Sequence, residues 1–191
     1  EGIVDITAGT MDANVVINSG AYLSAVQDAF NDNSSRIQVD AGGTYAVRGN
    51  DTLAGLAGAG LVTKDTSGTA TLTIGNNSVS ETFSGTITNG SGVIALTKNN
   101  AGVQILSGKN TYTGATTVQN SGALYIVSPG SLGNTVVTVN NTGTILGGNG
   151  SIQGAVTLVN YNILSPGVSN MIGTLTLGST LSLTASTLLA D

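Results

Sequence analysis

Between residues 105 and 167 the chain repeats itself about every twenty residues, and that period decides what it can fold into. Thr116-Thr117-Val118 leads to Gly122-Ala123-Leu124, Val137-Thr138-Val139 to Gly143-Thr144-Ile145, and Val156-Thr157-Leu158 to Ile163-Leu164. Asn120, Asn140 and Asn160 fall at equal spacing between these paired apolar runs. A fixed period of this size marks a solenoid or a propeller. A propeller blade needs about 40 residues and usually brings aromatic motifs. This chain has half that period and no Trp, so the solenoid is expected.

The period has a physical sense. Short alternating segments of β-branched residues suit a pleated surface buried on one side, and Gly or Asn supply the positive-φ positions at corners. One such unit cannot bury its apolar face alone. Stacked as turns of a parallel β-helix, each strand lies about 4.8 Å above its equivalent. Val118, Val139, Leu158 and Leu177 are then expected to form one internal column. Asn120, Asn140 and Asn160 are expected to stack at a corner with their amides bonded along the axis. The expected fold is all-β, a single-stranded parallel β-helix (β-solenoid) of roughly nine rungs of about 20 residues, in one domain.

The charges are few and unevenly placed. Charged residues make up 8% of the chain, against roughly 25% in ordinary globular domains. Nine of the ten acidic residues lie between Glu1 and Glu81, and nothing charged stands between Asn110 and Ala190. That stretch has no acid–base carboxylate, no lysine nucleophile and no basic footprint for nucleic acid. With no Cys and no His, disulfides, zinc fingers and His-based triads are excluded outright. No run of eighteen apolar residues suggests a membrane helix, and no signal peptide is visible.

The same unit runs through the first half. Val15-Val16-Ile17, then Ala21-Tyr22-Leu23, returns as Ile37-Gln38-Val39, then Thr44-Tyr45, so Val39 stands one period after Ile17. Residues 21 to 30 are ambiguous: Tyr22, Leu23, Val26, Ala29 and Phe30 have helical spacing, yet Phe30 also reads as a corner anchor equivalent to Leu132. Val62-Thr63-Lys64 is echoed by Leu96-Thr97-Lys98 at a spacing well beyond one period. Less regular spacing, with one or two long corners, is therefore expected in the centre. Residues 1–54 are read as N-terminal rungs and 55–191 as a second set within the same domain.

The stretch Gly55 to Gly114 closely resembles the passenger-associated transport repeat of bacterial autotransporters. The resemblance rests on Phe83-Ser84-Gly85, Leu96-Thr97-Lys98, Leu106-Ser107-Gly108, and Asn110-Thr111-Tyr112-Thr113-Gly114 before Thr116-Thr117-Val118. Leu164-Ser165-Pro166-Gly167 with Ile172-Gly173-Thr174-Leu175 matches the family's ending, while Val103-Gln104 and Val168 depart from its pattern. The resemblance implies a right-handed parallel β-helix in a secreted, surface-displayed passenger of a type V system. It also implies a C-terminal outer-membrane β-barrel translocator as partner.

No catalytic, cofactor-binding or metal site is expected, and no cofactor. Tyr112 is expected to pack on the solenoid rather than to form a binding surface with Thr111 and Thr113. Gly147-Gly148-Asn149-Gly150 reads as a corner, because neither the Lys of a P-loop nor the Asp of a calcium roll follows. Asp28, Asp32 and Asp40 read as solvated corner residues rather than cation ligands. The Thr-x-Thr pairs (Thr69/Thr71/Thr73, Thr86/Thr88, Thr174/Thr176) resemble those of ice-binding solenoids, but strand composition accounts for them and their rung positions look irregular. Asn50-Asp51-Thr52 and Asn140-Asn141-Thr142 read as turns.

The expected function is therefore a non-enzymatic structural segment that supports export by progressive folding and acts as a stalk. One alternative is an adhesive or self-associating module working through the solenoid face or its ends, against a host or bacterial surface. A polysaccharide-active β-helix is a remote alternative, for which only Asp28 and Arg48 offer groups.

Overall fold

The computed structural model describes residues 2–6, 13–26, 29, 30, 34–168 and 172–189. These form strands, turns and bends with no helix, and the strands pair in parallel into sheets that run the length of a tube. The tube has three faces, visited in a fixed order. Thr116–Val118 lies on the second face, Ala123–Ile126 on the first, Ser131–Leu132 on the third, and Val137–Val139 is back on the second, one rung on.

The first face is a nine-stranded sheet running from Val15–Ile17 through Arg36–Val39, Gly55–Gly58, Glu81–Phe83, Val103–Leu106, Ala123–Ile126, Ile145–Gly148 and Ile163–Pro166 to Thr187–Leu188. Nine stacked strands bound eight full circuits. The second face has seven strands, from Asp51–Leu53 to Leu181–Leu183. The third face is five strands from Ile3–Ile6 to Thr86–Ile87, continued by four from Lys109–Asn110 to Thr176–Leu177.

Along the longest strands the burial alternates, as in Val93–Lys98 and Thr69–Ile74. Inward side chains stack in columns. On the first face Phe83, Leu106 and Ile126 follow one another, and beside them Leu124, Leu146 and Leu164. All six are buried. Each such aliphatic side chain contributes about 1.5–3 kcal/mol when removed from water, and only the neighbouring rungs can remove it. Where the column needs no side chain at all, glycine stands in it. Gly148 has φ +117°, and a Cβ there would lie 1.9 Å from the Ile126 carbonyl oxygen.

Ile17 and Val39 are in register, as the repeat of their strands suggested, but circuits elsewhere vary. The lap from Leu146 to Leu164 is short, and the lap from Gly58 to Phe83 is long. The variation corrects two expectations. Val118, Val139 and Leu158 do share a column, but Leu183 completes it and Leu177 stacks on Ile152 on the third face. The last circuit on the second face, from Leu158 to Leu183, is longer than the one before it, so counting on by equal steps lands one face early. The echo of Val62-Thr63-Lys64 in Leu96-Thr97-Lys98 joins different faces, since Val62 pairs with Ile87 and Leu96 with Leu72. Within the strand Ile145–Gly148, Ile145 is half-buried on the outward side while Leu146 points in.

The asparagine corner is displaced by one residue in one rung. The register puts Asn141, not Asn140, in line with Asn120 and Asn160. Asn100, Asn120, Asn141 and Asn160 all have positive φ, between 53° and 65°. The amide ladder lies higher up. Asn120 Nδ2 donates to Asn99 Oδ1 and Asn99 Nδ2 to Asn76 Oδ1, each at 2.8 Å. Residues 22–25 form a strand, and Ala29 and Phe30 sit in a turn, fully buried. The Phe30 ring meets Tyr45 edge-on at 6.1 Å. Phe30 thus anchors a corner, but the strand after it, Arg36–Val39, lies on the first face, whereas the strand after Leu132 lies on the second.

Candidate functional site

Polar groups inside the tube need partners, because burial without one is costly. The Lys98 ammonium is buried and donates to the carbonyls of Asn99 and Asn100, each at 2.7 Å. Desolvation lowers its pKa to about 8. Lys64 donates to the Arg48 carbonyl and to Thr66 Oγ1 at 2.8 Å, and burial lowers its pKa too. Lower in the tube the carboxamide of Asn162 does the same work, donating to the carbonyls of Val139 and Val159 while accepting from the Thr144 N–H. These side chains close corners whose carbonyls the strands leave unmet.

The Asn110-Thr111-Tyr112-Thr113-Gly114 segment is built the same way. Asn110 accepts from the Ile87 N–H and donates to the carbonyls of Gly108 and Ser131, so one carboxamide bridges three rungs where the third face changes sheet. Tyr112 is fully buried. Its hydroxyl meets Thr116 Oγ1 at 2.7 Å, Thr116 meets Thr135 Oγ1 at 2.9 Å, and Thr135 donates to the Gly114 carbonyl at 2.6 Å. Burial raises the Tyr112 pKa. Tyr112 is a core residue and presents no surface.

The ionisable groups gather on the upper rungs. Arg48 lies between Asp5 and Asp65, at 2.7 and 2.9 Å. A hydrogen bond from Ser24, then one from Arg48, holds Asp5 below the usual carboxylate value. Arg48 and then Tyr22 hold Asp65 below it. Tyr22, which donates to Asp65 Oδ2 at 2.6 Å, is pushed up to about 12, first by burial and then by that carboxylate. Asp40 accepts from Gln38 Nε2 at 2.8 Å. Asp28 and Asp32 lie outside the described residues, and among those described no three acidic side chains converge as metal ligands do.

On the first face the ladder is interrupted. Gly55–Gly58 pairs fully with Arg36–Val39 above it, but with the strand below only at Gly58 and Phe83. In this register Glu81 follows Leu56 in an inner column and Gln104 follows Glu81. The Glu81 carboxylate instead pairs with Arg36 through both nitrogens of a guanidinium fork, with Nη2 to Oε2 at 3.0 Å. The bond it donates to Glu81 raises the Arg36 pKa. The pair passes over Gly55, where a Cβ would lie 2.6 Å from Glu81 Cγ. From within, Gln104 Nε2 reaches the Leu56 carbonyl at 3.0 Å. Outside lies a groove of about 520 Å³ between Arg36 and Gln38 on one side and Val103 and Ile105 on the other. Sequence reasoning noted Gln104 only as a departure from a pattern and did not find the groove; a carboxylate and a carboxamide in successive inner positions were the available signal.

The threonines are more regular than the sequence suggested. Thr52, Thr73, Thr97, Thr117, Thr138, Thr157 and Ser182 follow one another outward on the second face, one per rung. The expected irregularity came from pairing threonines along a strand instead of across rungs. Gly147 and Gly148 end a strand, and the corner is Asn149-Gly150.

Three faces, parallel rungs and inner aliphatic columns define a parallel β-solenoid of about eight turns. Residues 96–126 match the family described as passenger-associated-transport-repeat. That span runs from the Lys98 corner through the Tyr112 segment to the following rung. The chain is also 40% identical over 111 residues, 54% of its length, to the Adhesin BmaC autotransporter of Brucella suis biovar 1 (strain 1330). It therefore carries autotransporter passenger repeats. The chain spans 3% of that relative's length. No solved structure matches it.

Proposed function

We propose that this chain is a non-enzymatic structural segment, a single solenoid domain, of a secreted, surface-displayed autotransporter passenger. It supports export by folding progressively and serves as a stalk. The observation behind this reading is the rung-on-rung ladder, in which, among the described residues, each strand pairs with its counterparts one turn before and one turn after. Such a chain adds turns to a templating edge as it emerges, and burial of each new rung opposes its return. The partner implied is the C-terminal outer-membrane β-barrel of the parent protein.

The experiment replaces Val139, Leu146 and Leu158 together with Asp in the parent passenger and measures protease-accessible passenger at the cell surface. A clear drop in display, with the β-barrel still inserted, is expected. Unchanged display would remove the export role.

A second reading, adhesion by self-association, draws on the outward Thr/Ser column and on the relative's being named an adhesin. Hydroxyls both donate and accept, so two such columns satisfy one another, and no charge stands on them to repel a second copy. Thr117→Lys with Thr138→Lys would abolish concentration-dependent association in sedimentation experiments. A chain that stays monomeric at all concentrations ends this reading.

A further inference from the structure

We propose that the groove on the first face binds a neutral oligosaccharide segment lying along the tube axis. The groove crosses four rungs, from Arg36 to Ile105, a length of about 14 Å at about 4.8 Å per rung. Its volume, about 520 Å³, falls within the range of small-ligand sites.

Its chemistry is that of a polyhydroxylated ring with polar edges and an apolar face. Gln38 is held by its Nε2 on Asp40, which fixes its orientation and leaves the amide oxygen as an acceptor. Ser80 Oγ accepts from the Val103 N–H, which leaves its proton to donate. Thr82 follows two residues on, in the strand Glu81–Phe83. Val103 and Ile105 give the opposite wall an apolar surface, and Ala57 with Gly58 keeps the floor low.

Charge decides against ionic ligands. The Arg36 fork is occupied by Glu81, so the site presents neither a free cation to an anion nor a free carboxylate to a base. The net charge of −5 further disfavours acidic polymers. An extended peptide is recognised at a free strand edge. Here the Leu56 carbonyl is taken from inside by Gln104, and the Gly58 carbonyl accepts from the Ser84 N–H. Side chains, not main chain, are on offer.

The test titrates the full chain with cellohexaose, maltohexaose and chitohexaose, and separately with hexagalacturonate and an extended Thr-Val hexapeptide, following amide shifts by NMR. At least one neutral hexasaccharide, at up to about 10 mM, is expected to shift the signals of Gln38, Ala57 and Thr82. Ala57→Phe, which fills the floor, and Gln38→Ala, which removes the fixed acceptor, are each expected to weaken that binding about tenfold. Gln38→Ala alters an outward side chain and keeps the test valid if the larger residue perturbs folding. No shift with any neutral sugar, shifts elsewhere on the tube, undiminished binding by both variants, or preference for the acidic sugar or the peptide would each overturn the proposal. Surface display is a separate readout, so failure here leaves the export reading standing, and failure of display leaves the groove standing.

Discussion

Gln104 reaches past a whole rung to Leu56. Its Nε2 donates to the Leu56 carbonyl at 3.0 Å, crossing the level at which Glu81 has swung out to meet Arg36. A carboxamide thereby replaces a missing piece of ladder. Gln104→Leu, which keeps the bulk but not the donor, leaves a buried carbonyl unmet, at a cost of about 1–3 kcal/mol. Chemical denaturation of the two proteins measures it, and equal midpoints would show that the bond is dispensable.

Lys98 makes stability depend on pH in an unusual direction. Its folded pKa, about 8, lies below the ordinary lysine value of 10.5. Between those values the unfolded chain binds more protons than the folded one, so stability rises with pH. The gain is on the order of 1–3 kcal/mol across the window. Tyr112 opposes it only near and above a pH of about 10, because its raised pKa keeps it protonated in the fold while the unfolded phenol ionises. Denaturation midpoints between about pH 7.5 and 9.5 should therefore climb, and the slope should fall clearly in Lys98→Met, leaving the part due to Lys64, whose pKa burial also lowers. A slope unchanged in the variant would assign it elsewhere.

The register predicts unequal costs at adjacent positions. Leu146→Ala empties an inner column and should cost about 2–5 kcal/mol. Ile145→Ala, on the half-buried outer side, should cost about 1 kcal/mol or less. Comparable losses at both sites would mean the strand is placed one residue out.

Tyr112 and Thr135 are joined through Thr116 by buried hydroxyls. Tyr112→Phe should destabilise by about 1 kcal/mol. Combined with Thr135→Val it should show a coupling of about 0.5 kcal/mol or more in a double-mutant cycle. Strict additivity would mean the chain of hydroxyls carries no shared energy.

The tube itself was legible because alternation and period are properties of neighbouring residues. Val118, Val139 and Leu158 align by counting alone. What failed was extrapolation across corners. Leu177 and Asn140 were placed by equal steps, whereas circuits stretch or shrink where the corner, not the strand, sets the length. The groove was hidden for a different reason. It depends on Arg36 and Glu81, far apart in sequence, meeting across a rung whose glycine leaves room, and no local pattern announces such a pair. The roles of Asn110, Asn162 and Lys98 were equally out of sight, since a polar residue among apolar ones reads as a turn until its carbonyl partners are known.

The unequal circuits separate the molecule's outline from its lumen. Although the lap ending at Leu164 is tight and the lap ending at Phe83 generous, the inner columns keep step, so spare length is shed at the bends and never threads inward. Insertions at such bends can diversify what the exterior displays without renegotiating the stack beneath. A passenger built on this plan can vary its silhouette freely while its spine stays fixed.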